Sequence, residues 1–361
     1  MTTKRTKTME LTNKEWKEFF IEDIFEIKSG KRLIKNDMIS GNIPFVGATE
    51  LNNGITEFIT NKNSSLDKNV LGVNYNGSVV YNFYHAYEAI FSDDVKRLSF
   101  REIKGNKYLY LFAKALILQQ KSKYEYGYKF NGERMRRQKV LLPVNSKGKP
   151  DYAFMENYMR QKEAELLKQY EKQVSEFESV VPLSEKEWNG FEIGELFKIS
   201  AGKSKGLNHL INVTKGGINY LGATNSNNGV LAYVQKVEQM THEGNSICFI
   251  RNGEGSMGFS VYKAEDFIAT SDISVGYAHC LNKYVGLFIT TVADKVRGKY
   301  NFGYKRNETR LKKEKILLPT NSEKEPDYAY MENYMKALES KKIKQYLEYK
   351  KQNTIGKMCY R

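Results

Sequence analysis

Cysteine and histidine are scarce in this 361-residue sequence, and neither is arranged for chemistry. The three Cys (Cys248, Cys280 and Cys359) are far apart with no C-x-x-C pair, which excludes a disulfide framework and suits free thiols in a reducing compartment. The four His (His85, His209, His242 and His279) lie in no H-E-x-x-H string and near no Cys pair, so no metal site is expected. Nowhere do about 18 apolar residues run together, and Met1 to Met9 is polar and basic without an apolar core region. Neither export nor a membrane span is expected, and a cytoplasmic location is. No Asn-Pro-Pro-Tyr or Asp-Pro-Pro-Tyr string occurs, nor any Ser/His/Asp or Cys/His arrangement, so no residue is a candidate for catalysis.

What is abundant points elsewhere. Apolar residues make up 40% and aromatics 13%, enough bulk for packed cores, and 361 residues are enough for two of them. Lys and Arg number 57 against 42 acids, a net charge of +15 that favours polyanions such as nucleic acid, although Lys-rich soluble proteins share this excess without using it.

The chain is written twice. Leu11-Thr12-Asn13-Lys14-Glu15-Trp16 returns as Leu183-Ser184-Glu185-Lys186-Glu187-Trp188, with the only two Trp at equivalent places. Phe25-Glu26-Ile27-Lys28-Ser29-Gly30-Lys31 matches Phe197-Lys198-Ile199-Ser200-Ala201-Gly202-Lys203, and the Gly-Ala-Thr turn that opens Gly47 to Gly54 matches Gly222 to Gly229. Tyr126-Gly127-Tyr128-Lys129 matches Phe302-Gly303-Tyr304-Lys305, and Leu141-Leu142-Pro143 matches Leu317-Leu318-Pro319. Pro150-Asp151-Tyr152-Ala153-Phe154-Met155-Glu156-Asn157-Tyr158-Met159 and its copy Pro326 to Met335 differ only at Phe154/Tyr330.

Each copy has two parts. The first is rich in Gly, Asn, Tyr and β-branched residues, with short runs such as Gly54 to Ile59 and Ser246 to Ile250 that predict strands bounded by Asn-Gly turns. A short helix is expected over 107–120 and over 283–296. The second part starts at Asp151 or Asp327, placed to cap a helix of about 30 residues without Gly or Pro. Met155, Met159, Leu166, Tyr170, Val174 and Phe177 fall at helical spacing, as do Met331, Met335, Leu338, Tyr346 and Tyr349. Each seam either packs on its own domain or, more economically, pairs with the other in an antiparallel coiled coil, with Met155, Met159, Leu166, Tyr170, Met331, Met335, Leu338 and Tyr346 as pairing residues. The expected fold is α+β: a β-rich domain over 10–150, a helix over 151–181, a second β-rich domain over 182–326 and a helix over 327–355.

Three strings imitate catalytic motifs. Gly253 to Gly258 satisfies G-x-G-x-x-G, but Phe259-Ser260-Val261-Tyr262 after it alternates like a strand, so a hairpin turn is expected in place of a nucleotide site. Gly202-Lys203-Ser204 lacks the earlier Gly of a P-loop, and Asp327 with Glu339-Ser340-Lys341 lies along one helix, where metal-binding carboxylates do not converge.

Binding chemistry remains. Lys31, Arg32, Lys35, Thr49, Asn52, Asn53, Asn74 and Asn76 cluster around the turns of the first copy, and Lys203, Lys205, Thr224, Asn225, Asn227, Asn228, Arg251 and Asn252 around those of the second. Asn reads adenine, Arg reads guanine, and Lys neutralises phosphate. Tyr128, Lys129, Arg134 and Arg136, with Tyr304, Lys305 and Arg306, interleave aromatic and basic residues as phosphate-contacting segments do. The alternative is a solvated basic face over internally packed Tyr.

At these residues the sequence resembles the specificity subunits of type I restriction-modification systems and the related subunits of type IIB systems, over essentially the whole chain. The resemblance implies two target-recognition domains that each read half of a bipartite DNA site. It implies paired helices that act as ruler and docking surface for methyltransferase subunits, with a restriction subunit as a further partner. S-adenosylmethionine and Mg²⁺ would then sit on those partners, and this chain would hold no cofactor. The helices are short for a type I subunit, so a fused methyltransferase-nuclease partner stays open. Residues 61–103 and 235–281 diverge most between the copies and are expected to differ in the bases they read. The competing readings are a stand-alone DNA-binding regulator and a metal-dependent nuclease.

Overall fold

A computed structural model describes residues 9–124, 127–174, 180–213, 216–253, 255–301 and 303–358. The chain divides into two units, Met1–Gln169 and Tyr170–Arg361, with the same α+β architecture.

In the first unit the strand Trp16–Phe20 pairs antiparallel with Lys139–Pro143, so the first and last strands of the β-rich part close on each other. A four-stranded antiparallel sheet follows the order Phe25–Ser29, Val95–Phe100, Val70–Asn74, Asn82–His85. A smaller sheet pairs Ser40–Val46 antiparallel with Ile55–Ile59 and parallel with Ile90–Phe91. The second unit repeats this plan. Trp188–Glu192 closes on Lys315–Pro319, and the four-stranded sheet runs Lys198–Ala201, Ile273–Tyr277, Ser246–Ile250, Ser260–Lys263. Its smaller sheet gains one short strand, Thr241–His242, beside Phe267–Ala269.

The helix expected over 107–120 spans Lys107–Leu118, and its counterpart spans Lys283–Ala293. Asn106 and Asn282 cap them by accepting two backbone N–H bonds each. Both cap side chains also donate to the long helices: Asn106 Nδ2 to Glu156 and Asn282 Nδ2 to Glu332, each at 2.8 Å. About two turns further along the long helices, the Tyr108 hydroxyl donates to Glu163 (2.7 Å) and the Tyr284 hydroxyl to Glu339 (2.8 Å). Trp16 stacks on Phe112 and Trp188 on Phe288, with each indole N–H donating to the carbonyl five residues earlier.

The long helices are Tyr152–Val174 and Tyr328–Met358. The first was expected to continue to 181; the chain is no longer helical at Val180, and Phe177 lies outside the described residues. Their seams are split in role, which corrects the assignment of all eight residues to pairing. Met155, 2% exposed, and Met331, fully buried, belong to the cores of their own domains, and Met159 and Met335 pack against those same cores. The helix starts therefore follow the packed-on-its-own-domain alternative. Leu166, Leu338 and Tyr346 remain exposed. Within the second unit, Tyr170 meets Tyr346 edge to face at 6.1 Å, Gln173 donates to Glu339 (2.8 Å), and Tyr330 donates to the Val181 carbonyl (2.8 Å).

Asp151 and Asp327 cap these helices through the amides of Phe154 (3.0 Å) and Tyr330 (2.9 Å), while Lys14 and Lys186 pair with them at 2.7 and 2.8 Å. Burial pushes both carboxyls up, but the ammonium and amide donors outweigh it and hold both below the usual value of 3.8. A depressed carboxyl pKa contributes stability that is present above the unfolded-chain value and is lost as pH falls through the folded one. Asp151→Ala or Asp327→Ala should cost about 1 kcal/mol at pH 7. The deficit should shrink as pH drops below about 4, read as urea midpoints across a pH series.

Candidate nucleic-acid interface

The polar residues singled out along the chain sit on turns whose backbone demands them. Gly30 and Gly202, in the matched Gly-Lys pairs, approach a neighbouring strand so closely that a Cβ would lie 1.9 Å from the carbonyl oxygen of Ser92 or Thr270. Lys31 and Lys203 follow on the exposed surface, the latter with its ammonium on the Thr241 carbonyl (3.1 Å). Arg32 and Lys35 are exposed and face Asp93 and Glu57 at 3.6 and 3.9 Å; Lys205 is exposed too.

Asn52, Asn53 and Gly54 are consecutive left-handed residues, with φ of 50°, 56° and 77°, and Asn227, Asn228 and Gly229 repeat the pattern at 49°, 51° and 77°. Asparagine tolerates this conformation far better than other non-glycine residues, so backbone geometry alone accounts for the type. Three of these exposed amides are engaged: Asn53 donates to the Tyr87 hydroxyl (2.9 Å), Asn227 to the Val230 carbonyl (3.0 Å) and Asn228 to the Tyr262 carbonyl (3.4 Å). The hydroxyls of Thr49 and Thr224 accept from Leu51 and Ser226 and cap the same turns.

Two expected DNA contacts are structural. Asn74 is 1% exposed, and its amide nitrogen donates to the carbonyls of Thr49 (3.0 Å) and Ser78 (3.2 Å), tying the Gly-Ala-Thr turn to the next hairpin. Arg306 is fully buried, paired with Glu314, and donates to the Gly258 carbonyl (3.1 Å). Neither side chain reaches solvent, so neither contacts a base or phosphate. Asn76 and Asn252 are half-buried on matching aspartates, Asp94 (2.9 Å) and Asp272 (3.0 Å), and Arg251 donates to the Ser271 carbonyl. Gly253 to Phe259 is a turn between the strands Ser246–Ile250 and Ser260–Lys263, as expected in place of a nucleotide site; Glu254 lies outside the described residues.

The aromatic-basic segments form the most regular feature. Tyr128 and Tyr304 are 49% and 47% exposed, and each ring stacks on an inner tyrosine, Tyr124 at 5.7 Å and Tyr300 at 6.1 Å. The guanidinium of Arg134 lies 3.8 Å over Tyr128, and that of Arg310 lies 3.9 Å over Tyr304. Both guanidinium groups donate to the backbone, Arg134 to Lys129 (2.9 Å) and Arg310 to Lys305 (2.8 Å). Asn131 and Asn307 cap the short helices that carry them. Arg136 is exposed on the first of these helices. The offset that pairs Arg134 with Arg310 also pairs Arg306 with Phe130, so Arg310, and not the expected Arg306, is the counterpart of Arg134. Tyr126 and Phe302 lie outside the described residues.

In the second unit, Asn225, Asn252, Phe259, Arg297, Tyr300 and Lys305 line an open cleft of about 910 Å³, which brings together the Gly-Ala-Thr turn, the glycine turn and the aromatic-basic segment. Arg297 stacks on Phe259 at 4.6 Å, and in the first unit Lys121 occupies the equivalent place over Tyr81 at 4.2 Å. None of Phe259, Arg297 and Tyr300 was singled out from sequence. His85 and His242 are buried beside the hydroxyls of Tyr87 and Tyr277. Burial, aided by Lys114 and Lys203 respectively, lowers each to about 4, so both are neutral at pH 7. Among the described residues no group of three or more His, Cys, Asp or Glu is placed to hold a metal, and no helix is long and apolar enough to cross a membrane.

Comparison with known proteins gives a consistent picture. The family described as type I restriction modification DNA specificity domain matches twice, at residues 13–175 and 185–349. The specificity subunit S.BcgI of a type II restriction enzyme from Heyndrickxia coagulans is 60% identical over 153 residues, 42% of this chain and 45% of that protein. The chain thus spans less than half the length of that curated relative. The S subunit of a type I restriction-modification system from M. genitalium aligns over 96% of both chains at 14% identity and a TM-score of 0.43. The HsdS subunit from Thermoanaerobacter tengcongensis aligns over 91% of both at 12% identity and a TM-score of 0.32.

Asn74→Ala should remove the donor to the Thr49 carbonyl from a buried site, while the Ser78 carbonyl keeps the Tyr81 amide, and cost about 1–3 kcal/mol. Chemical denaturation that shows no loss would rule out the tie between the two turns.

Proposed function

Since the chain belongs to the family of type I restriction modification DNA specificity domains, carried in two copies and without catalytic function, we propose that it recognises a bipartite, asymmetric double-stranded DNA site. It would direct partner methyltransferase subunits, and a restriction subunit or fused nuclease, to that site. The observation that carries this reading is duplication with selective divergence. The same exposed Tyr and Arg stack recurs in both domains, while the loops between the matched turns differ. A phosphodiester grip common to both copies, beside surfaces that differ, suits two domains reading unlike half-sites on one duplex. The retained contacts are Lys31, Arg32, Lys35, Tyr128, Lys129, Arg134 and Arg136 in the first domain. In the second they are Lys203, Lys205, Asn225, Tyr304 and Lys305, with Arg310 taking the place of Arg306.

The exposed outer seams of the long helices would pair in an antiparallel sense. The contacts of Tyr170 with Tyr346 and of Gln173 with Glu339 support that direction, because residue numbers rise on one side as they fall on the other. A helix of about 30 residues is about 45 Å long, against about 34 Å for a turn of DNA, which suits half-sites about one turn apart. S-adenosylmethionine and Mg²⁺ belong to the partner subunits in this scheme.

Mapping modified bases genome-wide with and without the gene tests the reading: one split, asymmetric motif should disappear on deletion. Exchanging residues 61–103 for those of a relative should alter one half of that motif and leave the other. Loss of no motif, with DNA binding retained by the chain alone, would instead favour a stand-alone regulator.

Arg134→Gln and Arg310→Gln should weaken binding to all duplexes alike and lower the slope of log K against log salt by about one each. A change confined to one base position would contradict a phosphate-directed role.

A further inference from the structure

The two domains solve one interior position differently. The offset that aligns Tyr124 with Tyr300 and Arg134 with Arg310 also aligns Leu118, Phe130 and Gln138 with Asp294, Arg306 and Glu314. In the first domain Phe130 is fully buried, and Gln138 accepts from the Tyr124 hydroxyl at 2.7 Å. In the second domain a buried guanidinium, paired with Glu314, stands in place of that phenyl ring.

What the ionic version touches is the cleft. Arg306 Nε donates to Glu314 (3.0 Å), and Glu314 accepts the hydroxyl of Tyr300, one wall of the cleft. Arg306 Nη1 donates to the carbonyls of Gly258 (3.1 Å) and Phe259 (3.5 Å), and Asp294 accepts the Ser260 amide (2.7 Å). Two consecutive residues of the glycine turn, the opposite wall, are therefore tied to the network that also holds Tyr300, and Asp294 holds Ser260, the first residue of the strand that follows. Gly258 is itself pressed onto Arg297, where an added Cβ would lie 2.7 Å from Cα, so that wall has no slack. Phe130 offers no donor to the equivalent turn.

We propose that Asp294, Arg306 and Glu314 are positioning residues that set the base preference of the second domain, by holding the glycine turn and Tyr300 at a fixed separation across the cleft. This rests on the DNA-reading role proposed above. Replacing a buried ion pair by well-packed apolar or neutral groups is often tolerated in stability, and the first domain shows a packing that accommodates such groups. The network's consequence is therefore expected in recognition more than in folding.

The test transplants the first domain's solution. The full chain, with any methyltransferase subunit that copurifies, selects from a randomised 40-base-pair duplex pool, as wild type and as Asp294→Leu/Arg306→Phe/Glu314→Gln. Wild type should enrich a two-part motif; failure to do so would undo the DNA-reading role and not this inference alone. The triple variant should keep its thermal midpoint and the half-motif of the first domain, while discrimination at the other half falls about tenfold or more. Arg306→Lys retains the charge but not the fork that reaches Glu314 and Gly258 together, and should show the same one-sided loss. It decides the matter if the triple variant does not fold. Two unchanged half-motifs, or equal loss in both, would overturn the proposal.

Discussion

Met155 and Met331 determine where the rest of each repeat can go. Each sits on the first turn of a long helix yet lies in the core of the β-rich domain before it. The helix therefore leaves its domain in a direction set by core packing and not by a hinge. The Asp cap with its Lys partner, the Asn to Glu bond one turn along and the Tyr to Glu bond after it repeat that attachment with polar groups. Burying a methionine contributes about 1.5–3 kcal/mol. The bonds to charged acceptors add direction to that burial. The chemistry that fixes the two helix starts is duplicated group for group.

The positive charge of the chain is spent unevenly. Arg97 pairs with Asp67 and the Ser29 carbonyl, Lys263 with Glu265, and Arg306 with Glu314, all from buried positions. These cations hold loops together and contribute little to an outer field. The exposed remainder includes the Gly-Lys turns and the guanidinium stacks, where planarity and a backbone bond preorganise the donor and reduce the entropy lost on binding. An arginine held over a tyrosine by its own backbone suits a phosphate, whose position along DNA is regular, better than a base edge, which varies.

Much of this was legible in the sequence because it depends on pattern. The strand-forming run Ser246 to Ile250, the cap at Asp151 and the near identity of Pro150 to Met159 with Pro326 to Met335 report local geometry directly, and repetition fixes the architecture. What was not legible depends on where a side chain ends up. Asn74 looks like Asn76 in the sequence, but the carbonyl that claims it belongs to Thr49, brought near only by the packing of two turns. Met155 lies on the same helical stripe as Leu166, yet that stripe meets the domain at Met155 and Met159 and is exposed again at Leu166. Asn52 and Asn53 have a type that both base reading and left-handed backbone would select, and the φ values supply the second reason.

The same logic explains why duplication is informative beyond the fold. Two copies under one set of packing constraints are an internal control: a residue present in both is accounted for by what both must do, and a residue present in one calls for a local cause. Trp16 and Trp188, Asn106 and Asn282, and Arg134 and Arg310 fall in the first group. Arg306 falls in the second, since Phe130 shows that the position can be filled without a charge. A buried guanidinium recovers its desolvation only through well-placed partners. Glu314 and the Gly258 carbonyl are those partners, and through them a core position in the second domain acquires a line to its surface that the first domain does not have at that place.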